Sequence, residues 1–186
     1  MVRILGIAGS LRKGSYNRAA LRAAQQLLPE GATLEIFDID GIPGYNQDLN
    51  DRPPEKVMDL KGRVRAADAI LFVSPEYNYS IPGVLKNVID WVSRADGENA
   101  WAGKPVAVMG AAGGLVGTAR MQYHLRQVFV FLDMHPVNKP EVMIGQAAQK
   151  FDAELNLTDE PTREKIAALL KALVVWTHRL SAATPG

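Results

Sequence analysis

Apolar and polar positions alternate along the chain in two rhythms. Short apolar runs at Ile4–Ala8, Leu34–Phe37, Ala69–Val73 and Val106–Met109, with a weaker one at Glu141–Ile144, are bounded by Gly, Pro and Ser. Runs this short and continuous suit strands buried on both faces. Between them apolar residues recur every three or four positions. Arg18–Leu28 carries Leu21, Ala24, Leu27 and Leu28 on one stripe, and the more polar Glu55–Ala67 carries Val57, Leu60 and Val64. Val84–Val92 aligns Leu85, Val88, Ile89 and Val92, and Ala119–Leu132 aligns Met121, Leu125, Val128, Phe129 and Leu132. Glu164–Leu180 reads as the closing helix, with Pro161 expected in its first turn. Strand followed by helix, five times over, predicts an open parallel sheet with helices on both faces. The least regular stretches, Asp40–Pro54 and Gly145–Pro161, are expected as long surface loops.

The chain's 186 residues suit one domain spanning 1–186 and leave no room for a second of ordinary size. At this length the doubly wound, flavodoxin-like arrangement is the expected α/β fold, with five parallel strands in the order 2-1-3-4-5. Lys and Arg number 21 against 20 Asp and Glu, and no basic block stands out, which argues against nucleic acid as a partner. The absence of cysteine excludes disulfides, thiolate metal sites and a cysteine nucleophile. No run approaches the ~18 apolar residues of a membrane span, and the run after Met1-Val2-Arg3 is too short for a signal peptide. A cytoplasmic location is the expectation.

In such a sheet ligands sit outside the carboxyl ends of the strands, so the loops after strands one, three and four are where chemistry is expected. The first, Gly9-Ser10-Leu11-Arg12-Lys13-Gly14-Ser15-Tyr16-Asn17, leads into a helix whose free N–H groups favour anions. Ser10, Ser15 and Asn17 add short polar side chains, and Arg12 can hold a phosphate with two donors. Gly9 and Gly14 mimic the opening of a nucleoside triphosphate loop, but Ser15-Tyr16 stands where that motif needs Lys and Ser or Thr. A single terminal phosphate fits better. On its residues alone the loop serves equally well as a tight turn with Asn17 as N-cap. The second loop, Ser74 through Gly83, holds two tyrosines and an asparagine between Pro75 and Pro82. Rigid backbone with flat side chains nearby suits the polar edge of a planar heterocycle. The third, Gly110 through Gly117, has glycines that let backbone approach a ligand closely, or that simply make a flexible turn capped by Thr118.

Together these segments resemble the NAD(P)H-dependent FMN reductases and quinone reductases of the flavodoxin-like superfamily, bacterial chromate reductases included. The similarity runs along nearly the whole chain. It is most specific in Gly9-Ser10-Leu11-Arg12 with Ser15 and Asn17, in Pro75-Glu76-Tyr77-Asn78 through Pro82-Gly83, and in Lys86-Asn87 with Asp90-Trp91. Gly110–Gly117 with Arg120, Gln122, Leu125 and Arg126 adds to it. The resemblance implies that Ser10, Arg12, Ser15 and Asn17 hold the FMN phosphate. It implies that Pro75, Glu76, Tyr77 and Asn78 line the isoalloxazine with Ser80 as a neighbour, and that Gly110, Ala111, Gly113 and Gly114 border its pyrimidine end. Lys150-Phe151-Asp152 and Leu157-Thr158-Asp159-Glu160 also resemble the family, although the glycine common between these halves is replaced around Glu154–Asn156.

The implied activity is two-electron reduction of quinones or similar small acceptors, free FMN and chromate among them, with NADH or NADPH as donor. Donor and acceptor would alternate at one flavin face in ping-pong fashion, and no side chain is needed as a catalyst. The rival reading is a flavodoxin-type electron carrier or a non-enzymatic flavin-binding partner. A carrier usually has a strongly acidic surface and a Thr-rich phosphate loop, which this near-neutral chain lacks. His124, His135 and His178 lack paired ligand spacing, so no metal site is expected, and His124 reads as a packing or interface residue. Asp38 and Asp40 read as loop caps, Trp91 and Trp101 as packing residues. Beside its main stripe, the fourth helix has a second one, Tyr123, Val130, Phe131 and Met134 with Gln127 between, and the third helix adds Val84 and Trp91. A surface helix needs one apolar face, so a homodimer or homotetramer is expected, unless the Gly145–Pro161 loop covers the second stripe.

Overall fold

The structure, a computed structural model, describes residues 1–183. Strands β1 (Val2–Ala8), β3 (Ala69–Val73) and β4 (Pro105–Ala111) form the centre of a parallel sheet, and every residue in them except Arg3 is buried. That is why they read as unbroken apolar runs. Strand β2 (Ala32–Phe37) lies at the edge and alternates between covered and open positions. The order is β2-β1-β3-β4, followed by a fifth position that is divided. β5 (His135–Pro136) pairs with Pro105–Val106, and β6 (Val142–Ile144) pairs with Met109–Ala111. The expected strand at Glu141–Ile144 is thus only the second half of that position. The doubly wound, flavodoxin-like order 2-1-3-4-5 is retained.

Helices α1 (Tyr16–Gln26) and α5 (Glu160–Ala183) cover one face, where Leu21 and Ala24 share a core with Ile166, Leu169, Leu170 and Leu173. Helices α2 (Glu55–Ala66), α3 (Gly83–Arg94) and α4 (Ala119–Leu132) cover the other, over Ile70, Phe72 and Val106. Two helix ends differ from expectation. α1 is capped by Ser15, not Asn17: Ser15 Oγ accepts the N–H groups of Asn17 and Arg18 at 3.2 and 3.4 Å. α5 begins at Glu160, four residues early, because the Asp159 carboxylate accepts the Thr162 N–H at 3.0 Å and closes the first turn. Among the described residues no helix is long and apolar enough to cross a membrane.

Both long loops are pinned. Pro43 O accepts Asn87 Nδ2 and Trp91 Nε1, each at 2.8 Å, while Asn87 Oδ1 accepts the Tyr45 N–H at 2.7 Å. Trp91 is therefore wholly buried beneath the 40–54 loop, and it belongs to no outer stripe. The 145–160 stretch folds back on itself through a bridge between Phe151 and Leu157, and Phe151 meets the Tyr16 ring at 5.1 Å. Leu155 takes φ 63° there, within the Glu154–Asn156 stretch where the family's glycine is missing. Lys61 of α2, wholly buried, donates to Ala95 O, Asp96 Oδ1 and Glu98 O in the turn after α3, where Asp96 is left-handed.

Candidate active site

The loops after β1, β3 and β4 emerge at one edge of the sheet, and specific contacts set their spacing. A Cβ on Gly110 would lie 2.1 Å from the Ser74 carbonyl oxygen, and one on Gly9 would lie 2.3 Å from Ser74 Oγ. These two glycines are required by strand-end packing. Gly113 and Gly114 are the ones that face open space, with nothing within 4 Å of a notional Cβ. Of the third loop's first three glycines, this second pair is where a ligand can approach the backbone closely, and Gly14 in the first loop is open in the same way.

Asn17 joins the first loop to the third. Its Nδ2 donates to Ala111 O at 2.9 Å and its Oδ1 accepts the Ala111 N–H at 2.8 Å, both deeply buried. An amide carries two N–H donors, so one remains for a ligand. Arg12 curls over its own loop, donating to Gly14 O and lying 5.8 Å above the Tyr16 ring. Ser15 is engaged as the N-cap. Ser10 is buried and lines a crevice of about 330 Å³ with Arg18, Leu21, Phe37 and Asp38, on the β2 side of α1. Arg18 pairs with Asp38 at 2.8 Å across its mouth. The Asp38 carboxyl sits below its ordinary range because the Asp40 N–H and Arg18 outweigh an opposing effect of burial.

The second loop is the most constrained. Tyr77 N–H donates to Ser80 O at 3.1 Å and Ser80 N–H to Tyr77 O at 2.9 Å, closing a two-residue reverse turn. Asn78 and Tyr79, its central residues, have φ 51° and 64°. Both values are left-handed, as in the primed hairpin turns that favour Asn-Gly. The Glu76 side chain leaves the turn for α4: Oε1 accepts Arg120 at 2.8 Å and Oε2 accepts the Met121 N–H at 3.0 Å. The Thr118 hydroxyl makes no cap, so this carboxylate from a distant loop caps α4 in its place. Burial works to raise the Glu76 pKa, but the Met121 N–H and the Arg120 guanidinium outweigh it and hold the carboxyl below its usual range. Tyr79 is exposed, its ring 3.9 Å beneath the Arg120 guanidinium, and Ser80 Oγ lies 2.8 Å from His124 Nδ1.

Across the three loops many backbone donors go unspent. Among the described residues, no acceptor in the chain takes the N–H groups of Leu11, Arg12, Lys13 or Gly14, nor those of Asn78, Gly113 or Gly114. Such a concentration of free donors at one sheet edge suits a ligand with a phosphate at one end and a carbonyl-bearing ring at the other.

The second stripe of α4 is open: Val130 and Phe131 are 82% and 81% exposed, and Tyr123 about half. The 145–160 loop does not cover it. Met134 leaves the stripe, 4% exposed, because Asp133 turns left-handed at the helix end and brings the Met134 N–H back to Phe129 O.

Strand order and strand-end loops together define a flavodoxin-like α/β protein of the nucleotide-cofactor type. Residues 2–149 match the NADPH-dependent FMN reductase family, and the chain belongs to it. It is 54% identical over 180 residues to an NAD(P)H-dependent FMN reductase of Pseudomonas aeruginosa, covering 96% of this chain and 97% of that one. It is 47% identical over 187 residues to the NAD(P)H:quinone oxidoreductase of Solanum tuberosum, covering 97% and 95%. Among solved structures, the flavoenzyme NAD(P)H:(acceptor) oxidoreductase FerB of Paracoccus denitrificans superimposes with a TM-score of 0.87 at 36% identity, covering 96% and 98%.

Proposed function

We propose that the chain is an FMN-dependent oxidoreductase that uses NADH or NADPH to reduce quinones or similar small acceptors. The observation that carries this reading is the set of unspent N–H donors on three cross-tied loops, in a chain of the FMN reductase family. FMN, when bound, supplies hydride acceptance from the nicotinamide and two-electron transfer to the acceptor. Arg12, the free N–H groups of residues 11–14, Ser15, Ser10 and the spare Asn17 donor are the groups for the phosphate. The backbone of Pro75, Glu76, Tyr77 and Asn78, with Ser80 beside it, is the edge for the ring. Gly110, Ala111, Gly113 and Gly114 flank the pyrimidine end, with only Gly113 and Gly114 open to close approach. The protein's part is to bind, orient and exclude water. Donor and acceptor take turns at one face.

Residues 1–186 act as one domain, in the cytoplasm, as a homodimer or homotetramer. The open stripe Tyr123, Val130 and Phe131, on the helix that also grips the second loop, supports the oligomer. The test is an absorbance spectrum of purified protein, followed by anaerobic titration with NADH and with NADPH. Bleaching of bound flavin and its reoxidation by a quinone are expected. Bound flavin that neither nucleotide reduces would make the chain a carrier or binding module.

A further inference from the structure

We propose that Arg120 and His124 are positioning residues, which hold the Tyr77–Ser80 turn in its ligand-binding shape and thereby set flavin affinity and potential. The inference rests on the FMN reading above. The turn is strained: both central residues are left-handed and neither is glycine. Asparagine tolerates this region, but a bulky aromatic does not, so Tyr79 carries most of the cost. Nothing within the turn offsets it beyond its two closing hydrogen bonds.

The offset comes from one face of α4. Residues 120 and 124 stand one helical turn apart and so point the same way. The Arg120 guanidinium contacts the Tyr79 ring at 3.9 Å and the Glu76 carboxylate at 2.8 Å. A planar guanidinium can stack with its face while donating from its edge, which an ammonium cannot do. His124 holds the other end of the turn through Ser80 at 2.8 Å. A hydroxyl can donate to a bare ring nitrogen or accept from a protonated one, so this contact survives in either neutral tautomer. Among the described residues no other side chain hydrogen-bonds residues 76–80. The clamp is therefore two residues wide.

A turn that must be left-handed to bind is subject to population arithmetic: the apparent dissociation constant is the intrinsic one divided by the competent fraction. The readouts are FMN dissociation constant by fluorescence quenching, flavin midpoint potential by spectroelectrochemistry, and thermal midpoint of the apoprotein. If loss of the clamp leaves about a tenth of molecules competent, Arg120→Met raises the FMN dissociation constant about tenfold and shifts the potential. His124→Leu raises it roughly threefold to tenfold, the worth of one neutral hydrogen bond. His124→Asn, which can still meet the Ser80 hydroxyl, restores both values towards wild type. Should Arg120→Met fail to fold, the cycle of Ser80→Ala, His124→Leu and their double variant decides. A double variant no worse than either single supports the clamp, whereas additive losses overturn it. Affinity and potential unchanged in both α4 variants also overturn it. Wild-type protein that takes up no FMN overturns the functional reading and this inference together.

Discussion

Replacing Asn17 with Ala tests whether the first and third loops are fixed by a single side chain. The substitution removes two buried hydrogen bonds, at 2.9 and 2.8 Å, and strands the N–H and C=O of Ala111. Ala111 is 3% exposed, so water has little access to either group. Each unsatisfied buried group costs about 1–3 kcal/mol, and the better helix propensity of Ala in the first turn of α1 returns about 0.5 kcal/mol. The net expectation is a loss of about 1.5–5.5 kcal/mol. For a domain of this size that lowers the thermal midpoint by roughly 3–20 °C. The assay is thermal unfolding of the apoprotein, followed by circular dichroism, so that ligand binding does not enter. Asn17→Asp supplies the contrast. It keeps an acceptor for the Ala111 N–H but sets a carboxylate against the Ala111 carbonyl, so it should be at least as damaging. A midpoint within about 2 °C of wild type for Asn17→Ala would refute the reasoning.

Four further outcomes are expected. Arg12→Ala should weaken FMN by about 1.5–3 kcal/mol in fluorescence titration, the worth of a charge-assisted bond, and leave riboflavin, which lacks the phosphate, unaffected. Glu76 titrates below its ordinary value in the folded state, so its contribution to stability is present above about pH 4.3 and is lost as pH falls through the folded value; Glu76→Gln should flatten that acid limb in pH-dependent denaturant melts. Lys61→Met should cost about 2–4 kcal/mol in urea unfolding, because two carbonyls and the Asp96 carboxylate lose their shared cation. Phe131→Glu should dissociate the proposed oligomer in light scattering while leaving the monomer fold intact, since Phe131 is 81% exposed within one chain.

The sheet and the loops were legible for a common reason: their signals are local. Strands β1, β3 and β4 are buried on both faces, so each is an apolar run, and α4 shows its bounds at Ala119 and Leu132 through an unbroken stripe. Two-residue β5 has no such run. It exists because the N–H groups of His135 and Val137 reach Lys104 O and Val106 O on a neighbour already in place. α5 starts before its apolar stripe because a side-chain cap, not apolar periodicity, begins the helix. Spacing alone puts Met134 and Trp91 on an outer surface, yet both are buried. One follows a left-handed residue that ends the spacing, and the other lies under a loop whose path the sequence does not disclose. At the candidate site, residue types point to the sheet edge where the loops after β1, β3 and β4 emerge. The ties between loops, Asn17 to Ala111 and Glu76 to Met121, span 94 and 45 positions, and no periodicity connects them.

Those long-range ties also explain how the edge can leave donors unspent without collapsing. A loop usually satisfies its backbone by folding onto itself, or remains mobile and solvated. Here the side chains of Asn17 and Glu76 take the structural bonds, and the Gly9–Ser74–Gly110 contact sets the strand ends at fixed distances. The backbone N–H groups of residues 11–14, 78, 113 and 114 stay free as a consequence. Ordering backbone costs about 1–2 kcal/mol per residue, and these ties place that cost on folding and not on binding. A site built this way can hold a dianion and a flat ring with few charged side chains. That agrees with a chain whose 21 basic and 20 acidic residues nearly cancel, and whose first loop carries Arg12, a planar guanidinium able to give one phosphate two parallel donors.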